Sequence, residues 1–90
     1  MARTPEVEVT VIEQKGFCGI GHKVGDTWQI RGTTPAGICV SAWQAMFPGL
    51  RVIQLGGSFP WAKESGRVTV ACPDAANPVV FEIRPVKGGQ

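Results

Sequence analysis

The chain has 90 residues, 43% of them hydrophobic and 18% charged, which excludes a disordered polypeptide and fits a single domain spanning 1–90 with an ordered core of about 6–86. Folding a chain of this size buries roughly 60% of its surface, enough for one modest core. The net charge of +2 is too small to imply a nucleic-acid partner, and no run approaches the ~20 apolar residues of a membrane span.

Residues Glu6 to Glu13 alternate, with Val7, Val9 and Val11 on one face and Glu8, Thr10 and Ile12 on the other, the pattern of a half-buried strand. Gly16-Phe17-Cys18-Gly19-Ile20-Gly21 holds three glycines in six residues and reads as a turn, with His22 just after it. Thr27 to Arg31 reads as a second strand with Trp28 and Ile30 inward. Ile38 to Phe47 is the best helix, with Val40, Trp43 and Phe47 on one stripe and Cys39, Ala42 and Met46 on the next. Pro48-Gly49 is expected to end it. Leu50, Val52, Ile53 and Leu55 fit either a further helical turn or a strand. Phe59-Pro60-Trp61 is expected to fold back over the sheet rather than to dock a partner. Lys63 to Gly66 reads as a turn and Arg67 to Cys72 as a strand stopped by Pro73. Val79 to Arg84 is the last strand, with Val79, Phe81 and Ile83 on one face, and Lys87 to Gln90 reads as a frayed tail.

The order strand, strand, helix, strand, strand predicts a small α+β fold. Its sheet is antiparallel, or a partly open β-barrel, of about four strands, with a helical insert between the second and third. The Val-rich first strand could form a sheet edge, which leaves a homo-oligomer open. Arg31, Arg51, Arg67 and Arg84 are dispersed, so no basic patch is evident, and neither a Walker nor a Rossmann phosphate motif is present. The start Met1-Ala2-Arg3-Thr4-Pro5-Glu6 lacks the apolar core of a secretory signal, and three cysteines cannot pair completely within one chain. A cytoplasmic, reducing location is the expectation.

The single histidine and the three cysteines all fall at element boundaries: Cys18 and His22 in or beside the glycine turn, Cys39 at the helix start, Cys72 at a strand end. Three thiolates and an imidazole are a zinc ligand set, and the sulfur donors also suit an iron–sulfur cluster or Cu(I). Against this stands the absence of Cys-x-x-Cys. Cysteines are also common as small buried apolar groups, which would leave a plain protein-interaction module. The runner-up to the metal site, ahead of the interaction module, is a thiol-dependent enzyme with Cys18 as nucleophile, His22 as base and Asp26 orienting the imidazole. Glu8, Glu13 and Glu82 read as solvated strand residues.

Four segments together resemble a small uncharacterised prokaryotic family of about this length. They are Cys18-Gly19-Ile20-Gly21-His22-Lys23-Val24-Gly25-Asp26, Gly37-Ile38-Cys39, Cys72-Pro73-Asp74, and Asn77-Pro78-Val79-Val80-Phe81-Glu82-Ile83. The resemblance runs from about Glu6 to Arg84 and implies a shared role for Cys18, His22, Cys39 and Cys72. It implies no activity and does not choose a metal. Many members carry proline after Cys-Pro-Asp where this chain has Ala75, a departure that touches a turn and none of the four residues.

Overall fold

Alternating valines build the centre of the sheet. In the computed structural model, which describes residues 5–62 and 66–86, Val7, Val9 and Val11 are fully buried on one face of β1 (Val7–Gln14). β1 pairs antiparallel with β2 (Thr27–Ile30) on one side. On the other side it pairs with β4 (Val79–Pro85), which pairs in turn with β3 (Val68–Ala71). The order β2-β1-β4-β3 is an open antiparallel sheet, so the expected α+β class holds in its open-sheet form. β1 is an inner strand and not an edge. Its hydrogen bonds on both sides go to neighbours within the chain, and the edges are the two four-residue strands β2 and β3. Edges this short offer little template for pairing with a second copy.

The helix α1 (Val40–Gln54) lies on the valine face. Its inward residues are Ala42, Met46, Leu50 and Ile53, which meet Val9, Val11, Phe81, Ile83 and Val68. The inward stripe is therefore the one containing Ala42 and Met46, while Val40 and Phe47 are exposed and Trp43 is half-buried. Apolar residues on most of the circumference made the two stripes hard to separate by periodicity.

Pro48-Gly49 does not end the helix. Pro48 removes one intrahelical donor, but it and Gln44, whose carbonyl loses that donor, both lie at the surface where water can replace it. The stop is Gly56-Gly57. Gly56 has φ +90°, its N–H donates to the Ile53 carbonyl at 3.1 Å, and Gly57 N–H donates to the Val52 carbonyl at 2.8 Å. This is a Schellman ending, which needs a residue that tolerates the left-handed region. The run Leu50 to Leu55 is thus the continuation of α1 and its cap. Buried Gln54 anchors this end, donating from Nε2 to the carbonyls of Pro5 at 2.8 Å and Arg31 at 2.6 Å.

Gly49 sits inside the helix without needing to be glycine. A methyl group there would meet Phe59 at 3.8 Å and Val70 at 3.9 Å, ordinary packing distances. Gly49→Ala is expected to stabilise the fold by about 1 kcal/mol through helix propensity and a small gain in contact. Denaturant unfolding would measure it, and a destabilised variant would show that the helix needs freedom beside Pro48.

The outer face of the sheet is a polar ladder. Glu8 lies between Arg84 and Gln29, Glu6 pairs with Arg31 at 2.7 Å, and Thr10 bonds Thr27 at 3.1 Å. Such exposed pairs stabilise by at most about 1 kcal/mol each, but their alternating sign favours this register over its neighbours. Phe59 packs against the core, whereas Trp61 stacks on it at 4.9 Å and stays 70% exposed, so only the first aromatic folds back as expected. The tail expected at Lys87 to Gln90 lies outside the described residues, as does the turn expected at Lys63 to Gly66 apart from Gly66 itself. No described helix is long and apolar enough to cross a membrane.

Candidate functional site

Beyond Gln14 the chain is tied to the β3–β4 hairpin rather than left as a free loop. Lys15 N–H donates to the Pro78 carbonyl at 3.0 Å, and Phe17 N–H donates to Asn77 Oδ1 at 2.8 Å. Gly16 between them has φ +71°, and a Cβ there would collide with that same Oδ1. The other end of the Asn77 carboxamide donates to Asp74 Oδ2 at 3.2 Å, and Asp74 Oδ1 accepts Ala76 N–H at 3.2 Å. One side chain therefore clasps the Cys18 turn to the Cys72 hairpin.

Cys18 opens a tight turn in which Gly21 N–H donates to the Cys18 carbonyl at 3.0 Å. Burial raises the Cys18 thiol and the charge of Asp74 adds to that, but backbone N–H groups of His22, Ile20 and Gly21 directed at its sulfur prevail and hold its pKa below the ordinary thiol value. Cys72 follows β3. Its N–H still reaches the Val79 carbonyl at 2.9 Å, and its Sγ accepts Val79 N–H at 3.3 Å. Cys39 is the N-cap of α1, and its carbonyl accepts the Trp43 N–H at 2.8 Å. The first turn carries neither an acidic side chain nor a side-chain cap, so its positive end is not neutralised locally.

His22 holds Cys39 in place. The ring is buried, edge-on to Trp28 at 5.3 Å and to Phe81 at 5.8 Å, and its Nε2 accepts the Cys39 N–H at 3.0 Å. An Nε2 that accepts a hydrogen bond is unprotonated, which places the ring proton on Nδ1. The imidazole thus reaches the Cys39 backbone and not the Cys18 sulfur; what His22 presents to Cys18 is its own main-chain N–H. Asp26 serves its own turn, Oδ2 accepting Lys23 N–H at 3.1 Å while Asp26 N–H donates to the Lys23 carbonyl at 3.0 Å. A Cys18–His22–Asp26 relay is not the arrangement seen.

Cys18, Cys39 and Cys72 all line one open groove of about 540 Å³, together with Phe17, Ile20, Ser41 and Asp74. All three are half-buried free thiols. His22 is not among the residues lining this groove. Among the described residues no three His, Cys, Asp or Glu side chains stand grouped closely enough to hold an ion, so the thiols share a groove without forming a finished coordination shell. Asn77 is the residue that sequence reasoning missed. Its place beside Pro78 signals only a turn, and its partner Phe17 lies 60 residues away.

No family model, curated protein or solved structure matches this chain. The family resemblance therefore rests on the four segments alone.

The Cys18 geometry gives a direct expectation. With its pKa lowered, Cys18 carries more thiolate than an ordinary cysteine at neutral pH and is expected to alkylate fastest of the three. Its rate against pH should reach half-maximum below the ~8.5 of an unperturbed thiol. Mass-spectrometric iodoacetamide kinetics on the folded chain would show it. Equal rates at all three positions would mean that the main-chain donors do not stabilise the thiolate.

Proposed function

We propose that the protein binds a soft metal ion through the thiolates of Cys18, Cys39 and Cys72, zinc first and an iron–sulfur cluster second. The supporting observation is the shared groove. Three cysteines 21 and 33 residues apart in sequence, on three different segments, line the same cleft, although a merely apolar role would not require it. Each segment is tied to another, the Cys18 turn to the Cys72 hairpin by Asn77 and the Cys18 turn to the helix start by His22. Binding requires the three sulfurs to draw together, and main-chain N–H groups directed at the Cys18 sulfur favour its thiolate form. His22 enters this reading as the residue that positions Cys39. Free thiols accord with a reducing, cytoplasmic setting.

Elemental analysis of protein purified without added metal, followed by Co²⁺ titration, tests this. Near-stoichiometric zinc and one Co²⁺ site with sulfur charge-transfer bands are expected, and Cys→Ser at 18, 39 or 72 should each weaken the same bands. Iron with visible absorbance would select the cluster. Absence of metal, no Co²⁺ bands and three unrelated stability losses would leave an interaction module with structural cysteines.

The second reading, a thiol-dependent activity centred on Cys18, is favoured by the main-chain donors at its sulfur. It predicts that alkylating Cys18 alone abolishes function while metal content is unchanged.

A further inference from the structure

We infer that a second cleft, beside α1, binds a small aromatic monocarboxylate, with Arg51 taking the carboxylate and Trp43 and Phe47 the ring. These three residues stand at i, i+4 and i+8 on α1, so they share one side of the helix. That side is not fully covered. Trp43 and Arg51 are half-buried and Phe47 is 42% exposed. All three line a cleft of about 350 Å³, together with the chain that follows β2 from Arg31 to Thr34. The volume is of small-molecule size, and the cleft shares no lining residue with the cysteine groove.

Charge sets the class of ligand. No acidic residue is among those lining the cleft. Arg31 is met by Glu6 at 2.7 Å, whereas Arg51 has no carboxylate partner among the described residues. Arg51 Nη1 donates instead to Gln54 Oε1 at 2.5 Å. Gln54 is itself buried and fixed by its bonds to the Pro5 and Arg31 carbonyls, so the guanidinium is held by an anchored side chain. The guanidinium donors not spent on Gln54 can present a fork of two parallel N–H bonds, which matches a planar carboxylate. One cation without a counter-charge suits a monoanion better than a phosphate dianion. Thr33 and Thr34 add hydroxyls to the same lining. The tilted Trp43–Phe47 pair, with centroids 5.4 Å apart, offers an apolar surface that a bare inorganic ion would leave unused.

The test titrates the full-length, nitrogen-15-labelled chain with phenylacetate and follows the Arg51 Nε–H and Trp43 indole N–H resonances by NMR. Saturable shifts at both are expected, with a Kd on the order of 1 mM for one charge-assisted contact plus one ring. Phenylacetamide keeps the ring and loses the charge; acetate keeps the charge and loses the ring. Each should bind about tenfold more weakly or worse. Arg51→Lys keeps the cation without the fork and should weaken phenylacetate about tenfold. Phenylacetamide binding as well as phenylacetate overturns the inference and leaves an apolar patch. Acetate or inorganic phosphate binding as well overturns the aromatic ligand and leaves a plain anion contact. Shifts that do not saturate by about 20 mM, or that are unchanged in Arg51→Lys, overturn the site itself. The three ligands on the wild-type chain decide the matter even if the variant fails to fold, and no outcome depends on the metal reading.

Discussion

His22→Ala is expected to lower the unfolding free energy by about 3 kcal/mol, and so the midpoint of thermal unfolding by roughly 15 °C for a domain of this size. Two losses combine. The ring fills the space between Trp28 and Phe81, and its removal leaves a cavity beside the core. The Cys39 N–H at the helix start also loses its acceptor, which costs about 1–3 kcal/mol if water cannot reach it. Two further variants separate the terms. His22→Phe refills the volume and leaves the N–H unpaired. His22→Gln keeps an acceptor and sacrifices part of the packing, so it should recover much of the loss and retain protection of the Cys39 amide against hydrogen exchange. A loss under about 1 kcal/mol for His22→Ala, or an unchanged exchange rate at Cys39, would show that the imidazole does not hold the helix start.

That bond explains why the four residues singled out from sequence are half of a different story. Their position at element boundaries was legible, because Gly16 to Gly21 cannot be helix and Pro73 must end a strand. The strands were legible because one face of the sheet is buried and the other is a charged ladder, which imprints a period of two on β1 and β4. The helix end was not. Pro48-Gly49 and Gly56-Gly57 are both breaking signals, and the exposure of Pro48, invisible in sequence, decides between them. The role of His22 was hidden for a comparable reason. Its partner is a main-chain group 17 residues away, and main-chain groups leave no mark on residue type. A histidine near cysteines looks like a ligand whether its lone pair faces a metal or an amide. The inner position of β1 was likewise set by pairing with β4, a long-range choice to which the alternation of β1 itself is blind.

The clasp at Asn77 gives the other large effect, and it is best read as a cycle of two substitutions. Asn77→Ala removes two exposed hydrogen bonds, to the Phe17 N–H and to Asp74, which water partly replaces, for an expected loss of about 1 kcal/mol. Gly16→Ala should cost about 2–3 kcal/mol, because the alanine must adopt a positive φ and its Cβ drives into Asn77 Oδ1. If the collision is with that carboxamide, the two costs are not additive. In the Asn77→Ala background Gly16→Ala should cost about 1 kcal/mol less, leaving the positive-φ cost and a 3.2 Å approach to the Ala76 carbonyl, for a coupling of about 1 kcal/mol. Additive losses would show that the Cys18 turn and the Cys72 hairpin are held together by something other than this side chain. The same cycle read by Co²⁺ affinity carries the argument to the groove. Loosening the clasp lets the Cys18 turn move relative to Cys72, so both single variants should bind Co²⁺ more weakly while keeping all three sulfurs, and an affinity unmoved by Asn77→Ala would separate the fold's clasp from the thiol site.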